Sequence, residues 1–212
     1  MRGITINNDF HTGYDLNMVM TEKILTPPEA QTYEVEIPGR NGFLDMSDYL
    51  TGEPTYKNRT LSFSFFGNGS RETVLSLIDR MSSLHGYNMQ IEVDDLEGWY
   101  FEGRASVSYT DKYYYVEFTL TVDALPFRYS TTPRVCTYSA ITSQDIILFN
   151  DGVSVIPTIT VDDETTIRFN DTSYKLSAGT YEPENLKLVR GDNVYTVTTT
   201  GTIVITYREA VI

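Results

Sequence analysis

The sequence has little of the chemistry on which most enzymes and disulfide-rich domains depend. Its 212 residues include one cysteine, Cys136, so no disulfide forms within the chain and no thiolate cluster holds zinc. The only two histidines, His11 and His85, lie far apart and belong to no recognisable motif. A Ser-His-Asp triad or a zinc site needs partners at recognisable spacing. We therefore predict no metal, no cofactor, and a buried, inert thiol at Cys136.

Long apolar runs and an excess of positive charge are also missing. No segment approaches the roughly 18 apolar residues of a membrane helix, and the first residues lack the apolar region of a secretion signal. The chain has 16 basic and 29 acidic side chains, which gives a net charge of −13. This balance disfavours nucleic acid or an anionic membrane as a partner held by charge attraction. We expect a protein made in the cytoplasm that has no membrane partner.

The short motifs that could indicate catalysis have simpler structural explanations. Residues 67–70, Gly-Asn-Gly-Ser, lie where an anion-binding loop would, but they lack the remaining glycine or lysine of the nucleotide-binding motifs. The acidic groups at 94–95 and 162–164 could indicate a calcium site or a glycosidase carboxylate pair. Turn chemistry explains both acidic groups more simply. We predict tight turns at these places and no enzymatic activity.

Aromatic residues, by contrast, are abundant, and their pattern predicts β-structure. The chain contains 16 tyrosines and 10 phenylalanines, mostly in segments where apolar and polar residues alternate. The clearest strand spans residues 113–124, with one core-facing set: Tyr114, Val116, Phe118, Leu120 and Val122. Residues 89–93 and 99–107, joined by an acidic segment that ends in glycine, predict a hairpin.

One segment predicts a helix. Between residues 70 and 85, apolar side chains recur at helical spacing at Val74, Leu77, Ile78, Met81 and Leu84. Asn68 or Ser70 can cap its start, and Gly86 is a natural stop. The apolar stripe must pack on a sheet, and His85 near the helix end is expected to have a structural role.

Composition and turn signals divide the chain near residue 131. Residues 130–133, Ser-Thr-Thr-Pro, look like a short linker. Beyond it, six or seven short apolar runs alternate with turns at close intervals, and the runs cover residues 146–149, 153–161, 167–169, 174–176, 186–189, 194–197 and 203–207. Such spacing is typical of a β-sandwich or barrel. We predict two domains, 1–130 and 131–212.

The segment from residue 33 to residue 67 is the most distinctive. It reads YEVEIPGRNGFLDMSDYLTGEPTYKNRTLSFSFFG. A strand at 33–37 stops at Pro38-Gly39, a polar loop follows, and an aromatic strand restarts at Leu61. Arg59 stands at the entry to that strand. It is expected either to pin the loop by bidentate pairing with Asp45 or Asp48, or to be a solvated surface charge.

Taken in order, these features resemble the distal tail protein (Dit) family of phages with long, flexible tails. In the first half, the resemblance rests on the strand near residues 3–6, Ile37-Pro38-Gly39, Asp45, Gly52, Arg59, the helix and Pro126-Phe127. In the second half, it rests on Asn150-Asp151-Gly152, Pro157-Thr158-Ile159, Gly191-Asp192-Asn193 and residues 203–208. Asn41 departs from the pattern, because many such proteins carry Asp before the glycine equivalent to Gly42.

The resemblance implies a mostly β fold with one α-helix. The N-terminal part would be a β-sandwich or barrel-like ring domain with a hairpin and the helix. The C-terminal part would be a small β-sandwich similar to galectins and carbohydrate-binding modules. It also implies a structural virion protein at the phage tail tip, where a homohexameric ring joins the tail tube protein to the tail-associated lysin or tip protein. The resemblance also allows receptor-binding proteins as further partners, and it implies that DNA passes through the ring without specific binding.

The residues expected at ring contacts come from the distinctive segment and from the aromatic strands. They are Arg40, Asn41, Asp45, Tyr56, Arg59, Tyr113 and Tyr115. Exposed aromatic side chains on a sheet could equally stack on sugar rings. Two alternatives therefore remain at this point: a carbohydrate-binding module that recognises host-surface glycans, and a β-rich hydrolase with an acidic pair.

Overall fold

The computed structural model describes residues 2–49 and 52–212, and in this part of the chain β-strands dominate and one α-helix is present. The expectation of a mostly β fold with one helix is therefore confirmed. The chain separates into two compact units. The first ends at Arg128, and the second spans Tyr129–Val211. That the two units act as separate domains stays a prediction.

The first unit is built on one antiparallel sheet. Its elements are β1 (Ile4–Ile6), β2 (Phe10–His11), β3 (Val19–Leu25), β4 (Glu34–Glu36), β5 (Phe43–Asp45), β6 (Arg59–Asn68), α1 (Arg71–Ser82), β7 (Asn88–Val93), β8 (Trp99–Asp111) and β9 (Tyr115–Ala124). The main sheet has the order β2-β1-β7-β8-β9-β6-β3. Strands β4 and β5 form a separate two-stranded hairpin.

Strict alternation builds the core of this unit. In β6, Leu61, Phe63 and Phe65 are buried, and Phe63 lies opposite Leu120 of β9. The helix covers this face with four buried residues of the apolar spacing, Val74, Leu77, Ile78 and Met81. The fifth, Leu84, is also buried but lies just beyond the helix end at Ser82. The Ser70 side chain caps the helix by accepting a hydrogen bond from the Thr73 amide. A sheet buried on one face and packed under a single helix is the result.

Two local expectations in this unit were wrong. Tyr114 was expected in the core, but it is largely exposed, because β9 begins only at Tyr115. Tyr113 has a φ of 70°, a conformation that a bulky side chain rarely adopts, and the turn there breaks the alternation. The loop after residue 37 is not wholly irregular either, since Phe43–Asp45 returns as β5 and pairs with β4.

The second unit is a two-layer sandwich. After β10 (Arg128–Ser130) come β11 (Arg134–Ser139), β12 (Gln144–Asn150), β13 (Thr158–Val161), β14 (Thr165–Phe169), β15 (Thr172–Leu176), β16 (Gly179–Tyr181), β17 (Gly191–Thr199), β18 (Thr202–Tyr207) and β19 (Ala210–Val211). Its two four-stranded sheets have the orders β11-β18-β13-β16 and β12-β17-β14-β15. Their inner faces share a core around Tyr195 and Ile205.

The structure of this unit differs from the sequence-based prediction in several places. Strands β11 and β16 were not expected, because both are short and polar on their outer face. The run 186–189 is not a strand, since Glu184–Leu186 is a 3-10 turn and Leu188 forms only an isolated bridge with Val155. Cys136, expected to be buried, is a partly buried free thiol on β11.

Candidate interface surfaces

The β4–β5 hairpin exposes aromatic side chains to solvent. Tyr33 is 66% exposed and Phe43 is 63% exposed, and Tyr49 just beyond the hairpin is exposed as well. A hairpin this short has no core of its own, and isolated two-stranded hairpins are at best marginally stable in water. Aromatic rings in this setting are typical of surfaces that become buried against another protein.

The turn of the hairpin holds two of the residues expected at ring contacts. Arg40 and Asn41 are both exposed between the two strands, and the Arg40 amide donates to the Ile37 carbonyl over 3.1 Å. Gly39 and Gly42 flank them with φ values of 83° and 79°, which only glycine adopts without strain. The glycines therefore hold Arg40 and Asn41 outward at the end of the hairpin.

Asp45 stabilises the hairpin from within. Its carboxylate accepts hydrogen bonds from the Ser47 amide at 2.9 Å and the Ser47 hydroxyl at 2.5 Å. The side chain and then the backbone of Ser47 lower the pKa of Asp45, so the carboxylate stays charged. Ser47 Oγ in turn accepts from the Tyr33 amide over 2.8 Å. Asp45 thus fixes the open end of the hairpin.

Arg59 and Tyr56 lie at the base of the hairpin, and the structure corrects both expectations for Arg59. The arginine is only 8% exposed, so it is not a solvated charge. Among the described residues it also forms no ion pair with Asp45 or Asp48; its Nε donates to the Thr26 carbonyl over 2.7 Å. It lies on the core face of β6, where a guanidinium reaches neighbouring backbone carbonyls instead of the hairpin acids.

The surroundings of Arg59 are aromatic and positively charged. Its guanidinium lies 5.2 Å from the centre of the Phe101 ring, and Arg128 lies over Trp99 at 5.4 Å. Burial, and then the nearby charge of Arg128, lower the pKa of Arg59. Tyr56 packs edge-on against Phe127 at 5.7 Å and bridges to Ala30. Tyr56 is therefore partly committed to packing within the chain.

The turn between β8 and β9 carries a tyrosine cluster, Tyr113, Tyr114 and Tyr115. Tyr113 is 57% exposed and Tyr115 is 36% exposed. Asp111 accepts hydrogen bonds from Arg71 at 2.7 Å and from the Tyr113 amide at 2.9 Å, and Arg71 lies over the Tyr113 ring at 5.2 Å. The hydrogen bond between the Arg71 and Asp111 side chains raises the pKa of Arg71 and lowers the pKa of Asp111. This ion pair holds the exposed rings in place.

The seven expected contact residues thus fall on three surfaces: the hairpin (Arg40, Asn41, Asp45), its base (Tyr56, Arg59) and the tyrosine cluster (Tyr113, Tyr115). Arg59 is only 8% exposed, so it presents little open surface of its own. Sequence reasoning missed several exposed rings outside the strands that it examined, among them Phe43, Tyr14 and Tyr87. The Pro-Gly stop followed by Asn41-Gly42 is a hairpin signal that could have revealed β5 and Phe43.

The two histidines have structural contacts. His85 Nδ1 accepts a hydrogen bond from the Val107 amide over 3.0 Å, and a structural role for this residue stays a prediction. His11 is buried and lies beside Asp94, a contact that the sequence did not indicate. Asp95 bonds Lys23 and pairs with Arg2, so the acidic segment 94–95 joins distant parts of the unit.

A shallow cavity of about 520 Å³ opens in the second unit. Its lining is polar and includes Asn170, Asn185 and Asp192. The lining aromatic, Phe169, is partly buried and packs edge-on against Tyr195 at 4.8 Å. The ring is therefore committed to the core and does not form the open platform on which a sugar stacks.

Clusters of metal-ligating side chains and membrane-spanning helices are both absent from residues 2–49 and 52–212. No group of three or more His, Cys, Asp and Glu side chains there could hold a metal ion. No helix in the same residues has the length and apolar character needed to cross a membrane.

Comparison with known proteins gives one informative similarity. No known family and no curated protein matches the sequence. The crystal structure of the SPP1 Dit (gp 19.1) protein, described as a paradigm of the hub adsorption apparatus in phages that infect Gram-positive bacteria, has a TM-score of 0.69 at 15% identity. The match covers 98% of this chain and 99% of that one. The activated baseplate of phage p2 matches at a TM-score of 0.45 and 6% identity over 98% of each chain, which is too low to support an argument. Over nearly its whole length, this chain has the fold of a Dit protein.

Proposed function

We propose that this protein is a structural component of a phage tail tip, a hub ring that joins the tail tube to the tail-associated lysin or tip protein. The observation that carries the proposal is the Dit fold over 98% of the chain. Because fold alone does not determine function, the surfaces must also suit an assembly protein. They do, since the first unit exposes aromatic side chains at the hairpin and at the tyrosine cluster.

We propose a closed ring of six copies. A ring needs heterologous contacts, in which one patch meets a different patch on the next copy. The hairpin and the tyrosine cluster are two such different patches. Arg40, Asn41, Tyr113 and Tyr115 would contact the neighbouring copy directly, Asp45 would hold the hairpin in shape, and Tyr56 and Arg59 would fix its base.

The charge of the protein supports passage of DNA through the ring. A net charge of −13 repels phosphate, so DNA would cross the channel without specific binding. The protein would reside in the virion tail tip after synthesis in the host cytoplasm. Receptor-binding proteins would be further partners, and the protein would have no catalytic activity of its own.

Native mass spectrometry of the purified protein tests the proposal directly. We expect hexamers at micromolar concentration and low salt. Tyr113→Ser should weaken assembly, because its exposed side chain lies on a proposed contact surface. Tyr87→Ser, at an exposed tyrosine outside the proposed contacts, serves as the control for loss of a tyrosine. A protein that stays monomeric both alone and with its tail tube partner would refute the ring. No observation favours the carbohydrate-binding alternative.

A further inference from the structure

The arginine pair Arg59 and Arg128 lacks a counter-ion. Both side chains carry their positive charge among aromatic rings, and no carboxylate among the described residues pairs with either. The chain has 29 acidic residues against 16 basic ones, so an arginine pair without an acid is unusual. A buried charge is costly unless it is paired.

The donors of this pair are only partly used. A guanidinium has five N–H donors. Arg59 uses Nε for the Thr26 carbonyl and makes a long contact of 3.5 Å with the Pro126 carbonyl. The Nε of Arg128 is buried and has no hydrogen-bond partner. That atom cannot be reached from outside, but the remaining N–H groups of the partly exposed Arg128 also have no partner among the described residues, and an oxyanion could accept from them.

The nature of the site favours a carboxylate. Planar guanidinium groups bind carboxylates through two parallel hydrogen bonds. The arginines lie against the rings of Phe101 and Trp99, and an apolar setting of this kind strengthens such a bond. Arg128 is only half-buried, so the pair is reachable from outside.

The hairpin supplies acids of the required kind. Between residues 33 and 49 it has four exposed acidic side chains and one basic one: Glu34, Glu36, Asp45, Asp48 and Arg40. Asp45 is occupied by Ser47, but Glu34 and Glu36 lie on one face of β4 and make no bond within the described chain. Tyr33 and Phe43 are exposed on the same hairpin as these two glutamates. Their rings could pack against Trp99 and Phe101 beside the arginine pair.

We propose that the Arg59–Arg128 pair is a receiving site for the Glu34 and Glu36 carboxylates on the hairpin of a second copy of this chain. The inference rests on the proposed ring and names one of its contacts. It joins two different surfaces, as a heterologous contact requires.

Thermal melting in sulfate tests the anion site alone. Sulfate at tens of millimolar should raise the melting temperature of the wild type by several degrees relative to chloride of the same ionic strength. Arg128→Gln should abolish that difference, and Arg168→Gln, at an exposed arginine paired with Asp171, should retain it. An equal response to sulfate in wild type and Arg128→Gln would overturn the site. It would show that sulfate acts on the protein in general, or as an adventitious ion only.

A double-mutant cycle in native mass spectrometry tests the occupant. Arg128→Gln and the combined Glu34→Gln, Glu36→Gln variant should each weaken assembly at least tenfold, and the triple variant should weaken it no further. Asp48→Asn on the same hairpin is the control and should assemble normally. Additive effects, or a ring unaffected by Arg128→Gln, would overturn the inference and leave the proposed ring intact. A wild type that never assembles would refute the ring itself.

Discussion

His11 and Asp94, distant in sequence, form one hydrogen-bonded pair: His11 Nε2 lies 3.1 Å from Asp94 Oδ1. The other ring nitrogen, Nδ1, accepts the amides of Gly13 and Tyr14 at 3.0 and 2.9 Å. Because two backbone donors point at Nδ1, the proton must reside on Nε2. Asp94 also accepts the Gly3 amide over 2.8 Å, so the pair joins β1, the turn after β2 and the segment after β7.

Replacing His11 should therefore destabilise the first unit. We expect His11→Ala to cost about 1–3 kcal/mol, because it leaves backbone donors and a carboxylate without their partner. Thermal or urea unfolding measures the loss, and His85→Ala, at an exposed histidine with a single amide contact, should cost less. If both variants unfold alike, the His11–Asp94 pair does not stabilise the unit. Nitrogen NMR of the imidazole should show the Nε2–H tautomer.

Arg59→Ala should lower the melting temperature more than removal of an exposed arginine does. The side chain is buried, bonds the Thr26 carbonyl and packs on Phe101, and we expect a loss of about 1–3 kcal/mol. Arg59→Lys should recover only part of it, since lysine cannot reproduce the planar stacking. Arg190→Ala, at an exposed and loosely paired position, is the control. Equal melting of the Arg59→Ala and Arg190→Ala proteins would contradict the buried role.

The sequence predicted regular elements well and contacts between them poorly. Helix α1 and strands β6 and β9 follow directly from apolar spacing, because one buried face imposes a period of 3.6 or 2. Arg59 shows where this fails: the acids close to it in sequence lie on the hairpin, while its partners, Thr26 and Pro126, come from remote segments. Tyr113 shows a second failure, since a turn with positive φ ended an alternation that the side chains alone continued.

Gly67 lies in close contact with core side chains. A Cβ there would lie 2.7 Å from Leu77 Cδ1 and 3.3 Å from Met18 Cγ, both in the core beneath the helix. Gly67→Ala should destabilise the first unit by about 1–3 kcal/mol through overpacking. Gly103→Ala should be worse, because its Cβ would meet the Asp123 carbonyl, and backbone cannot move aside as a side chain can. Unfolding curves that rank the two variants in the opposite order would contradict this reasoning.

Tyr195 should make the second unit sensitive to alkali. It is fully buried and donates to the Leu186 carbonyl over 2.6 Å, and burial raises its pKa above the ordinary 10.0. The folded state therefore favours the protonated phenol, so its stabilisation is complete below pH 10 and is lost as the pH rises above that value. Tyr195→Phe should lower stability by about 0.5–1.5 kcal/mol at neutral pH. It should also weaken the fall in stability above pH 10.

Unfolding of wild type and Tyr195→Phe should be measured from pH 8 to pH 11 to test whether Tyr195 couples stability to pH. Tyr87→Phe, at an exposed tyrosine, is the control. The two curves should converge as the pH rises, because only the wild type loses the contribution of a buried phenol. A constant difference across this range would show that Tyr195 does not couple stability to pH.

The second unit should not bind sugar, although the resemblance of the sequence implied a lectin-like sandwich. A sugar site needs an exposed aromatic platform and convergent polar groups. The ring that lines its cavity, Phe169, packs against Tyr195, and the only tryptophan of the chain, Trp99, lies in the first unit beneath Arg128. Calorimetry of the whole protein with host cell-wall polysaccharide should therefore detect no binding at sub-millimolar concentration. Binding that disappears in a Phe169→Ala or Asp192→Asn variant would assign the cavity to a glycan and move the protein toward direct recognition of the host surface.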